Sequence, residues 1–142
     1  MTRDTLLDVA GHVALLLLGA ALGVWGTFLV PYRLPGGVEG LSVAIAVVTN
    51  LAAARLGGYG FGTALAAAVP GLGWLVTVLV LNAGVPGRIT DDVLIPGRLD
   101  ADPGIVVVGT SFLAAGAVAA VAGVLWAARR LRPTPPGTTP PG

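Results

Sequence analysis

Four apolar stretches, each near the length that crosses a hydrocarbon layer, leave this chain little choice of architecture. They run over residues 6–30, 39–56, 61–81 and 105–127. A bilayer-spanning helix needs roughly 17 to 25 mostly apolar residues, so the pattern predicts an all-α membrane protein, a four-transmembrane-helix bundle. Composition agrees: 55% of the 142 residues are hydrophobic and 11% are charged, whereas soluble domains carry about 25% charged residues.

The residue inventory excludes several kinds of chemistry. Cysteine is absent and histidine occurs once, so one chain supplies neither a disulfide framework nor a multi-His or Cys metal cage. A formal net charge of +1, with the basic residues at the ends of the apolar runs, does not fit a phosphate-backbone binder, and no nucleic-acid partner is expected. No nucleophile–base arrangement, P-loop or dinucleotide fingerprint stands in the chain. The sequence therefore predicts no enzyme activity and no cofactor.

Local signals place the boundaries. Thr5 followed by Asp8 resembles a capping box, which predicts a first helix from Leu6. Residues 13–22 could also serve as the apolar core of a secretory signal, but two acids against one Arg precede them and no cleavage-site pattern follows. Residues 31–40, PYRLPGGVEG, are turn chemistry. The second run is short before Gly57, and Val38 and a snorkelling Arg55 extend it. Gly57 to Gly60 then reads as a tight reversal. Pro70 falls inside the third run, where it removes one backbone hydrogen bond and crowds the carbonyl four residues earlier, so a kink is expected.

Residues 82–104 form the one long polar segment between runs. They contain two Pro-Gly-Arg triplets and Asp91, Asp92, Asp100 and Asp102. The acids lack the ordered spacing of a calcium loop, and Val93 to Ile95 reads as a short extended piece against the bundle rim. Residues 129–142 are basic, then rich in Pro, Gly and Thr, and predict a disordered tail. With the N-terminus inside, Arg3, Arg55, Arg129, Arg130 and Arg132 lie on the inner side, and Arg33, Arg88 and Arg98 lie outside. The positive-inside rule then puts both termini in the cytoplasm of a bacterial inner (plasma) membrane, with the 82–104 loop extracytoplasmic. Tyr32, Tyr59 and Trp126 fall near the expected interfaces.

Candidate contact residues follow from spacing. Ser42, Ala46, Asn50 and Ala54 recur every fourth position, forming one small and polar stripe. Gly19 and Gly23 make a GxxxG pair, and Ala119 and Gly123 a similar one. Small stripes let helices approach, within one bundle or in a homo-oligomer. Asn50 is expected to tie helices together through its amide. His12 lies four residues after Asp8 on one face, a spacing that permits an interfacial pair or a proton relay.

The turn GGYGFGT at 57–63, VPGLGWL at 69–75 and DDVLIPG at 91–97, ahead of a Gly-containing fourth run, resemble small four-helix actinobacterial membrane proteins grouped as the domain-of-unknown-function family six-one-one-three. The resemblance spans Leu16 to Ala128. It implies the same topology and carries no activity. Two functions are expected to compete. One is a non-enzymatic structural or accessory subunit whose partners are lipid, its own copies or a larger membrane protein. The other is a small oligomeric transporter or channel subunit. Proton-coupled export uses a membrane-embedded carboxylate, and residues 13–30 carry none.

Overall fold

The computed structural model describes residues 2–30, 40–83 and 103–131. It is all-helical there, with α1 over Arg3–Phe28, α2 over Leu41–Phe61, α3 over Ala64–Ala83 and α4 over Pro103–Arg130. All four helices are long and apolar enough to cross a membrane. The expectations for the 31–39 turn, the 84–102 segment with its acids and triplets, and the tail from Arg132 lie outside the described residues.

The helix ends differ from the sequence expectation by two to five residues, and three of the differences have a visible local cause. α1 begins at Arg3, because Thr2 is its N-cap and accepts from the Thr5 amide at 3.4 Å. The same Thr2 hydroxyl bonds the Thr5 hydroxyl at 2.8 Å, so Thr5 serves the cap of an earlier start and no capping box with Asp8 is needed. α2 does not reverse at residues 57–60. It runs on to Phe61 and ends at Gly62, whose φ of 65° and ψ of 19° are left-handed and whose amide reaches the Gly58 carbonyl at 3.0 Å. That left-handed C-terminal cap suits glycine. α3 then starts after Thr63, whose hydroxyl accepts from the Ala66 amide at 3.1 Å. Gly57 and Gly58 are thus helical residues, both buried.

α2 and α3 form the centre, with α1 packed mainly on α3 and α4 mainly on α2. Gly19 lies against Pro70 and Gly23 against the Trp74 carbonyl and Thr77, so α1 and α3 run in the same direction. Gly58 meets Ala127 and Gly123 meets Ala54, so α2 and α4 also run parallel to each other. The most extensive contacts therefore join helices that are not neighbours in sequence.

The interior has two characters. Around the C-terminal end of α1 it is filled by Val30, Ala46, Val78 and two large rings, Trp74 and Phe112, whose centroids stand 5.4 Å apart. Toward the other end, Ala53, Ala54, Ala66, Ala67 and Ala127 are buried, and glycines close the seams. Between apolar helices in lipid, this shape fit supplies cohesion through dispersion contacts, because the tails outside are equally apolar.

Candidate functional site

Pro70 organises the centre of the bundle. It sits inside α3 and is buried. Having no amide hydrogen, it leaves the Ala66 carbonyl, four residues earlier, without its helical donor. That carbonyl lies against the α-carbon side of Gly57 in α2, at a place a β-carbon would fill, and Ala66 is fully buried. A Cα–H donor is a weak substitute for an amide, but it keeps the oxygen off the lipid. The Pro70 carbonyl is covered in turn by Gly19 of α1, and one turn on, Gly73 lies against the Leu16 carbonyl. One proline and three glycines thus bring α1, α2 and α3 to backbone contact.

The stripe on α2 is buried along its whole length: Ser42, Ala46 and Ala54 are each 1% exposed and Asn50 is 3%. Ala54 faces Gly123 of α4, and Gly123 also lies near the Asn50 carbonyl. The hydrogen bond that Asn50 makes among the described residues stays within α2. The Asn50 side-chain nitrogen donates to the Ala46 carbonyl of its own helix at 3.0 Å. A carbonyl one turn back is always within reach of a short polar side chain, and Thr27 to Gly23 at 2.8 Å and Thr49 to Ile45 at 2.7 Å repeat the pattern. Among the described residues, Ser42 Oγ, Trp74 Nε1 and Asn82 Oδ1 are buried with no partner. For Ser42 the carbonyl one turn back belongs to Val38, outside the described residues.

His12 and Asp8 are brought together, but loosely. His12 Nδ1 is 2.8 Å from the Asp8 carbonyl oxygen and 3.6 Å from its Oδ1 carboxylate oxygen. The imidazole also stands 4.6 Å from the Phe61 ring, which lies over Gly11. His12 is therefore part of the contact that holds the end of α2 onto α1. No group of three or more His, Cys, Asp or Glu side chains that could hold a metal ion is present among the described residues.

A second cluster went unread in the sequence. Arg55 and Tyr59 on α2 and Trp126 and Arg130 on α4 converge at one end of the bundle. The Arg55 guanidinium carbon lies 4.6 Å from the Trp126 ring centre, that of Arg130 lies 5.4 Å away, and Tyr59 meets the same ring edge-on at 5.8 Å. Each helix offers an aromatic and a cation at i,i+4 spacing, which was the available signal. That the two pairs meet depends on the α2–α4 packing. Between α3 and α4, an open apolar groove of about 380 Å³ is lined by residues including Gly71, Trp74, Ala120 and Val124. No family model, curated protein or solved structure matches this chain.

Proposed function

We propose that this chain is a multi-pass protein of the bacterial plasma membrane, a non-enzymatic structural or accessory subunit that acts through helix contacts and through the segment at residues 82–104. The observation that carries this reading is the use made of the buried polar groups. Thr27, Thr49 and Asn50 turn back onto their own helices, while glycine and alanine close the seams between helices. Such an interior is built for packing. α1, by contrast, offers a broad apolar face: Leu17 is 62% exposed and Trp25 is 70% exposed.

The proposal includes both termini in the cytoplasm and kinship with the actinobacterial family named above. Two of the motifs behind that kinship hold the Gly62 turn and the Pro70 contacts, which are the features a relative would have to keep. The test is purification from native membranes in mild detergent, with a photo-crosslinking residue at Leu17 or Trp25. A defined partner, or a second copy, captured through α1 is expected. Capture of lipid alone at both positions would count against an accessory role. Substrate-dependent ion or solute flux in proteoliposomes would favour a small oligomeric transporter or channel instead.

A further inference from the structure

We propose that the cleft formed by Arg55, Tyr59, Trp126 and Arg130 binds the headgroup of an anionic phospholipid. The inference rests on reading the chain as membrane-spanning. Two guanidinium groups are held over one indole, at 4.6 Å and 5.4 Å from its centre. The ring's negative face offsets part of their charge, but it offers no hydrogen-bond acceptor in the guanidinium plane. Among the described residues the one ion pair is His12–Asp8 on α1, and α1 packs on α3 and α2 rather than along α4. No described carboxylate serves Arg55 or Arg130.

A phosphate diester supplies what is missing. Its oxygens accept from both guanidinium forks, and charge-assisted bonds of this kind are among the strongest that surfaces make. The cleft is a shallow notch of about 30 Å³ over buried Gly58 and Ala127, so a headgroup would lie across its mouth, between the two guanidiniums. Tyr59, 73% exposed beside the cleft, adds a hydroxyl. Tyrosine and tryptophan prefer the headgroup depth of a bilayer.

Ala117, Val118, Val121, Ala122 and Leu125 line a shallow depression on the outer face of α4. The depression shares no lining residue with the cleft and is centred on the far side of α4 from it, so it takes no part in the headgroup site. Two cations beside two interface aromatics, with no described carboxylate serving them, match an anionic headgroup. Basic pockets between spanning helices are a recurrent place for such headgroups.

The test uses the full chain in mild detergent, titrated with phosphatidylglycerol or phosphatidylcholine and followed by native mass spectrometry and thermal unfolding. One phosphatidylglycerol per chain should be retained and should raise the melting temperature, and phosphatidylcholine should do neither. Arg55→Gln and Arg130→Gln should each weaken retention about fivefold and together about thirtyfold. Arg129→Gln, a neighbouring charge outside the cleft, should change it less than about twofold. Arg55→Lys and Arg130→Lys keep the charge and serve if the glutamine variants fail to fold; they should lose retention through the missing guanidinium fork. Equal retention of the two lipids, an equal effect of Arg129→Gln, or a matching shift by inorganic phosphate would overturn the proposal. A dimer forming in place of lipid uptake would assign the cleft to a second copy and overturn it as well. Extraction of the chain from membranes by alkaline carbonate would defeat the membrane reading itself. Loss of lipid selectivity with insertion intact would defeat only the lipid site.

Discussion

Gly19 of α1 lies so close to the carbonyl oxygen of Pro70 in α3 that a β-carbon at position 19 would overlap it. The obstacle is backbone, which cannot turn aside as a side chain can. Gly19→Ala should therefore destabilise the bundle by about 1–3 kcal/mol, the usual range for overpacking. Gly60 is also helical, yet nothing lies within 4 Å of its β-position. Gly60→Ala should gain up to about 1 kcal/mol from helix propensity. Thermal unfolding in detergent should move in opposite directions for these two identical substitutions.

Gly57 and Pro70 should be energetically coupled. The proline ring crowds the Ala66 carbonyl, and that oxygen lies where a side chain at position 57 would go. Gly57→Ala alone should cost about 1–3 kcal/mol. In a Pro70→Ala background the carbonyl regains a helical donor and can draw back toward its own axis, so the cost of Gly57→Ala should fall. A double-mutant cycle should give a coupling of about 0.5–3 kcal/mol, and strict additivity would refute the link.

Ala46 and Ala44 make a sharper pair than their chemistry suggests. Ala46 is 1% exposed and belongs to the core cluster with Trp74 and Phe112, whereas Ala44 is exposed. Ala46→Leu should lower stability by about 1–3 kcal/mol and Ala44→Leu by under about 0.5 kcal/mol. Equal melting temperatures for the two variants would mean that the α2 stripe is not a packing face.

Orientation can be read by labelling single cysteines at Thr2, Thr63 and Gly87 in intact cells. The parallel pairs put Thr2 and the α2–α3 turn at one end of the bundle. With the arginine-rich end inside, an impermeant thiol reagent should reach only the Gly87 variant. Labelling at Thr2 or Thr63 with Gly87 silent would reverse the topology.

Helix number and the apolar face were legible because both depend on local pattern. A run of twenty apolar residues must satisfy its backbone within itself once it is in lipid, whatever its neighbours do. The fourfold spacing of Ser42, Ala46, Asn50 and Ala54 likewise puts them on one face of any helix. Glycine carries no such information. Gly57, Gly58, Gly60 and Gly62 look alike in the chain, yet the first two are buried seams, the third is open and only the fourth turns the backbone. What separates them is the backbone that arrives from α3 and α4, residues distant in sequence.

The same reason hid the partnering of helices and the arginine cleft. Short connections make sequence neighbours the default contacts, but the most extensive packing joins α1 to α3 and α2 to α4. Glycines 19 and 73 permit that approach for the first pair, and Gly58 and Gly123 permit it for the second. Arg55 and Trp126 become neighbours only because Gly58 and Ala127 are small enough to let α2 and α4 meet. Hydropathy and helical period were enough for four helices and their buried faces. Shape complementarity between distant segments, a property no single stretch possesses, chose which faces meet and so assembled the arginine cleft.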